Sequence, residues 1–167
     1  MPPRHLSVRP GTYPSWQRGC ASSAARSART KGERKVISLV PNAAKVLVID
    51  DSATICLIMA RALRKAGYQV ITASNGNDGL TKALQERPHC VVLDVVLPGI
   101  SGYGLCRQLR ALDPKHNLSI IMVSTKNTRL DRSWGLRQGA DRYLPKPFSE
   151  EMLVQTVKEV IREHTWH

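Results

Sequence analysis

Lys45-Val46-Leu47-Val48-Ile49-Asp50-Asp51-Ser52 is an apolar run that stops on two adjacent carboxylates. A strand with one wet face alternates apolar and polar residues. A run that is apolar at every position suits a parallel strand covered on both faces. Beyond it, Ile55, Ile58, Met59, Ala62, Leu63 and Ala66 recur at helical spacing, and Gly67 offers a C-terminal stop. The same pair of signals repeats along the chain. Tyr68–Ala73 reads as a strand, Asn75-Gly76 turns the chain, and Leu80, Ala83 and Leu84 mark a helix before Pro88. Cys90–Leu93 is a third buried strand ending in Asp94, and Leu105, Cys106, Leu109 and Leu112 mark a helix stopped near Pro114. Ser119–Val123 is the fourth strand, ending in Ser124. A thinly apolar helix over Thr128–Gln138, carried by Leu130, Trp134 and Leu136, precedes a short fifth strand over Asp141–Leu144. Ser149 then caps a last helix with Met152, Leu153, Thr156, Val157, Val160 and Ile161 as its stripe. Strand and helix alternate five times, which predicts an α/β fold: a doubly wound, five-stranded parallel sheet with helices on both faces.

Outward from this region the character changes. Of the 167 residues, 1–44 hold eight basic side chains against one acid, Glu33. Residues 45–167 hold seventeen basic and twelve acidic side chains, so the net charge of +12 comes mostly from the first quarter. It is therefore not the signature of a nucleic-acid-binding domain. The segment 1–44, rich in Pro, Ser, Ala and Arg, is predicted to be a disordered tail. Its composition also matches an organelle transit peptide or a misassigned start. Contact of the tail with nucleic acid or a membrane surface is the weaker alternative to a solvated tail without a role. Residues 45–163 are the folded domain and 164–167 its C-terminal end. No apolar run reaches the eighteen residues of a spanning helix. Cys20, Cys56, Cys90 and Cys106 lie far apart with no Cys-x-x-Cys, which argues against a zinc ribbon or disulfide scaffold and for a reducing, cytoplasmic setting. His164 and His167 make a poor metal pair at a fraying end.

In open α/β sheets, sites lie beyond the carboxyl ends of the strands. The residues there are Asp50 and Asp51, then Asp94, Ser124 and Lys146. Three converging carboxylates without a counter-ion repel one another. A hard divalent cation resolves this, and Mg²⁺ favours carboxylate oxygens and phosphate. Lys146 adds a cation and Ser124 a hydroxyl donor, both suited to phosphoryl oxygens. The set describes Mg²⁺-assisted phosphoryl transfer to a carboxylate nucleophile.

These residues, with Asp94-Val95-Val96-Leu97-Pro98-Gly99-Ile100-Ser101-Gly102 and Lys146-Pro147-Phe148, resemble the receiver domain of two-component response regulators, of CheY-like fold. The resemblance covers about residues 45–163. It implies that Asp94 accepts a phosphoryl group from the phosphohistidine of a histidine kinase or phosphotransfer domain. It implies that Asp51, Asp94 and the Val96 backbone carbonyl ligate Mg²⁺, with Asp50 acting through water. Lys146, Ser124 and the Thr125 backbone would bind the phosphoryl group, Ser124 and Tyr143 would form the switch, and Lys146-Pro147 would be a cis peptide. The output partner would be a protein docking on the face of the fourth helix, fifth strand and fifth helix. Thr125 stands where the family usually has a smaller residue, and its β-branched side chain is expected to narrow access for phosphodonors.

A narrower resemblance rests on Ser124-Thr125-Lys126 and Trp134-Gly135-Leu136-Arg137-Gln138-Gly139-Ala140. It is to stand-alone regulators of type IV pilus twitching motility and related phototaxis systems. The chain ends shortly after the last helix, so no covalent DNA-binding or enzymatic output domain is expected. The expectation is a phosphoprotein that signals through a partner and promotes only its own phosphorylation and dephosphorylation. A phosphate sink without direct output is the alternative. A phosphohydrolase of the haloacid dehalogenase type is a third reading. It needs a carboxylate two residues after the nucleophile, where Val96 stands and cannot transfer protons. A flavodoxin-like flavin site would need a phosphate-cradling loop where Asp50-Asp51 would repel phosphate.

Overall fold

Alternate residues of each central strand enter two different apolar layers, as the two-residue period of a pleated strand requires. The computed structural model describes residues 44–165, all within one compact unit, Ser38–His167. The elements run β1 (Lys45–Ile49), α1 (Ala53–Lys65), β2 (Gln69–Ala73), α2 (Gly76–Glu86), β3 (Cys90–Asp94), α3 (Gly102–Leu112), β4 (Ser119–Ser124), α4 (Arg129–Arg137), β5 (Arg142–Pro145) and α5 (Glu150–Thr165). The sheet is parallel throughout, in the order β2-β1-β3-β4-β5. Val46, Val48, Val92, Ile121 and Val123 pack with Met59 and Leu63 of α1 and Leu153, Val157 and Val160 of α5. Leu47, Ile49, Val91, Leu93, Ile120 and Met122 pack on the other face with Leu105, Cys106 and Leu109 of α3. The expected five-stranded α/β fold is what the chain forms. The tail, Cys20, Trp166 and His167 lie outside the described residues.

Short polar side chains start the helices. Ser52, Asn75, Ser101 and Thr128 each accept the N–H three residues on, at 3.4, 2.8, 3.2 and 3.1 Å. Asn75-Gly76 is therefore the start of α2 rather than a separate turn. Gly67 and Gly139, at φ 95° and 103°, end α1 and α4 in the left-handed region that a side chain disfavours. α5 continues past residue 163, the expected end of the domain, to Thr165. His164 is engaged there, its Nδ1 lying 2.9 Å from the Val160 carbonyl and 3.0 Å from the Ser119 hydroxyl.

The helical stripes differ from expectation at their edges. Ile58, Leu84, Leu112 and Met152 are exposed, and Cys56, left out of the predicted stripe, is buried beside Met59. The largest difference is α4. Leu130, Trp134 and Leu136 were expected to carry its packing, yet they are 82%, 50% and 48% exposed, and the buried residue of this helix is Gly135. A glycine lets α4 approach the sheet so closely that its backbone, not a side chain, makes the contact.

Candidate functional site

The strand order places β1 and β3 side by side, while the chain leaves them toward opposite edges of the sheet. A crevice opens where the connections diverge, and the carboxyl ends of both strands carry aspartates. Asp50, at the end of β1, is buried, and Asp51 beside it is exposed. Asp50 Oδ1 accepts the Ser52 N–H at 2.9 Å, so the residue that caps α1 also orients this carboxylate. Asp94 closes β3 and is buried; its Oδ1 accepts the Val96 N–H at 3.0 Å. The start of α3 presses against this strand end. A Cβ at Gly102 would fall 2.2 Å from the Asp94 carbonyl oxygen, so only glycine fits.

Lys146 follows β5 and reaches across to both acids. Its Nζ donates to Asp50 Oδ2 at 2.7 Å and to Asp94 Oδ2 at 3.0 Å. Its backbone N–H donates to the Ser124 carbonyl at 2.8 Å, which ties the end of β5 to the end of β4. The Lys146–Pro147 peptide is cis. Burial alone would lower Lys146, but its hydrogen bonds to Asp50 and Asp94 outweigh this and hold the ammonium above its ordinary range. Burial pushes the Asp94 carboxyl up, only partly offset by the Val96 N–H and by Lys146.

Asp50, Asp51 and Asp94 each offer an oxygen within 4.8 Å of the others. One ammonium partners Asp50 and Asp94, and Asp51 has no cation of its own among the described residues. Three hard oxygen donors with a single positive charge fit a divalent cation of the Mg²⁺ type.

Ser124 is fully buried at the end of β4, and its hydroxyl oxygen accepts the Lys126 N–H at 3.1 Å. Thr125 is exposed. The Tyr143 hydroxyl donates to the Lys126 carbonyl at 2.6 Å. Ser124 and Tyr143 thus hold the backbone of one residue from two sides. In the sequence Lys126 stands out only as part of the Ser124-Thr125-Lys126 motif, and this link does not show there. No residue-type signal could reveal it, because the atoms involved belong to the backbone. Gly102 was quoted only as part of a motif, and its close approach depends on where α3 lands. Asp50, Asp51, Asp94, Val96, Ser124, Thr125, Lys146 and Pro147 all stand at the carboxyl ends of the strands. Tyr143 lies within β5, under α4.

The response regulator receiver domain model matches residues 46–158, and the chain belongs to that family. Receiver domains are signalling modules of two-component systems and bind Mg²⁺ through acidic residues. Protein PilH of Pseudomonas aeruginosa is 42% identical over 118 residues, covering 71% of this chain and 98% of that protein. A CheY-like receiver domain protein from Methanospirillum hungatei has a TM-score of 0.70 at 27% identity, over 74% of this chain and 98% of that one. Chemotaxis protein CheY4 of Vibrio cholerae has a TM-score of 0.67 at 34% identity, over 71% and 98%. Among the described residues no helix is long and apolar enough to cross a membrane.

Proposed function

We propose that Asp94 is the phosphoacceptor, taking a phosphoryl group from the phosphohistidine of a histidine kinase or phosphotransfer domain in the cytoplasm. The observation that carries this reading is the single Lys146 ammonium shared by Asp50 and Asp94, at 2.7 and 3.0 Å. It sits where negative charge must be held before and after transfer. An Asp94 carboxylate oxygen attacks phosphorus and the P–N bond breaks. The acyl phosphate forms, and the departing imidazole keeps the bonding pair and takes a proton. Asp51, Asp94 and the Val96 carbonyl would hold Mg²⁺, with Asp50 acting through water. When bound, the ion offsets the charge of the carboxylates and the phosphoryl group. Lys146, the Ser124 hydroxyl and the Thr125 N–H receive the phosphoryl oxygens. Val96 offers no proton-transfer group, so the acyl phosphate persists long enough to act as a signal.

The link through Lys126 supports a route for that signal. Ser124 donates to a phosphoryl oxygen only by drawing the end of β4 inward. That movement takes its oxygen from the Lys126 N–H, and Lys126 in turn releases Tyr143. α4, which packs through Gly135, then resettles and changes the α4-β5-α5 face offered to a partner protein. The Trp134–Ala140 stretch and the likeness to PilH support a place in type IV pilus twitching or a related chemotaxis-like motility pathway. Incubation with acetyl phosphate and Mg²⁺, followed by mass-spectrometric mapping, tests the acceptor. Label is expected on Asp94 and absent from Asp94→Asn; full labelling of that variant overturns the assignment.

A further inference from the structure

We infer that the cleft between α3 and α4 docks a short acidic segment of a partner protein, one that carries a bulky apolar side chain. This goes beyond the proposed switch and needs no phosphoryl chemistry. The cleft has a volume of 380 Å³ and is lined by Tyr103 of α3 and by Leu130, Asp131, Ser133, Trp134 and Arg137 of α4. Nothing from β5 or α5 contributes to its wall.

Three observations define the occupant. First, Leu130 and Trp134 present a large apolar surface to solvent, at 82% and 50% exposure, on a helix whose own packing uses Gly135. They are therefore available to an apolar side chain from outside. Second, the Tyr103 hydroxyl at the α3 wall is buried and has no hydrogen-bond partner among the described residues. The Tyr143 hydroxyl lies close enough to act on it, but its own hydrogen goes to the Lys126 carbonyl. Burial first, then the neighbouring Tyr143 and Asp131, push this phenol up to about 12. A buried hydroxyl left unpaired is an open demand for a polar group.

Third, the surrounding charge is one-sided. Lys126, Arg129, Arg132 and Arg137 lie on or just before α4, and Arg107 lies on α3. The acid among the lining residues, Asp131, is spent on the Thr128 N–H and hydroxyl at 3.1 and 2.6 Å. The Arg129 and Arg137 side chains have neither ion pair nor hydrogen bond among the described residues. A carboxylate beside the apolar anchor would meet Arg137 in the charge-assisted geometry a guanidinium favours. A second copy would set arginine against arginine. The chain's own residues 1–44, with eight basic side chains and one acid, carry the wrong sign. A nucleic acid calls for a track of available cations, whereas Arg132 and Arg107 are bonded to Asn127 and Gln138 and Arg137 is the one cation among the lining residues, beside two apolar side chains.

Selection of a random short-peptide library against the full chain tests this. The enriched peptides are expected to combine Asp or Glu with Trp, Phe or Leu. Their affinity should fall about tenfold or more in Trp134→Ala and in Arg137→Glu, the loss typical of a central anchor. Peptides with the acids changed to Lys should regain binding to Arg137→Glu. Both positions are exposed, and far-ultraviolet circular dichroism checks that the variants fold. Failure to enrich any peptide overturns the inference, as does enrichment of peptides indifferent to both variants. Sedimentation showing self-association lost in Trp134→Ala assigns the cleft to a second copy instead. Binding of a labelled oligonucleotide that is lost in Arg137→Glu assigns it to nucleic acid.

Discussion

Gly135 packs directly against the ring of Tyr143: a Cβ at this position would sit 2.8 Å from Tyr143 Cδ2 and 3.0 Å from the Met122 sulfur. Replacing a mid-helix glycine by alanine normally stabilises a protein by roughly 0.5–1 kcal/mol. Here the sign reverses, because α4 must lift or Tyr143 must turn. Gly135→Ala is expected to destabilise by about 1–3 kcal/mol, the usual range for overpacking. Urea unfolding checks it, and a gain in stability would show that α4 is not seated as described.

Asp94 bears on stability with a definite sign. An acid held above its ordinary 3.8 binds its proton more tightly in the folded than in the unfolded chain. That contribution favours folding at low pH and is lost as pH rises from 3.8 through the higher folded value. At neutral pH without metal, the ionised carboxylate therefore costs stability. Asp94→Asn is expected to raise the urea midpoint at pH 7 and to change it little well below pH 4. An unchanged or lowered midpoint at pH 7 would contradict the balance of burial over hydrogen bonding.

Metal addition should act through Asp51, the exposed member of the trio. A ligand that binds only the folded state stabilises it in proportion to the logarithm of its concentration. Millimolar Mg²⁺ is expected to raise the thermal midpoint of the parent chain and to leave Asp51→Ala nearly unmoved. EDTA should reverse the rise. Equal shifts in both proteins would place the ion elsewhere.

The start of α4 rests on a reciprocal cap between Thr128 and Asp131. Hydrogen bonds from Thr128 hold the Asp131 carboxyl below its ordinary 3.8. A lowered acid stabilises above its unfolded value, and that contribution is lost as pH falls through its folded value. Protection of the first-turn amides of α4 against exchange, taken relative to the intrinsic rate at each pH, should thus fall below about pH 4, and Asp131→Asn should show the reduced protection already at neutral pH. Thr128→Ala removes the cap itself, a change that typically costs about 1 kcal/mol.

Ser124→Ala separates charge from switch. The variant should still accept phosphate on Asp94, because the attacking oxygen is untouched. It lacks the hydroxyl that would draw the end of β4 inward. A charge-assisted hydrogen bond contributes roughly 1.5–3 kcal/mol, about a tenfold to hundredfold change in the population ratio. Amide NMR of Lys126 and Tyr143, with and without a phosphoryl mimic, reads the difference. Matching shifts in parent and variant would remove Ser124 from the route.

The central strands were legible because burial on both faces leaves no polar position: Val46–Ile49, Cys90–Leu93 and Ile120–Val123 are short apolar runs, too short for helices, each ended by polar residues. The strand-end residues were legible for a related reason. Such chemistry sits where apolar runs stop, so Asp50, Asp94, Ser124 and Lys146 could be picked out by position. That Lys146 reaches Asp50, 96 residues earlier, is decided only when β1 and β3 become neighbours and β5 closes the edge. Periodicity likewise marks an apolar stripe but not which edge of it finds a neighbour. Leu130, Trp134 and Leu136 look like a packing face until Gly135 brings the α4 backbone onto Tyr143 and turns all three toward water. The Lys126 link and the Tyr103 hydroxyl, without a hydrogen-bond partner among the described residues, depend on backbone atoms and on helix spacing. Local sequence determined the elements and the chemical inventory; the distances between elements, which come from the packing of the whole chain, decided which of those groups meet.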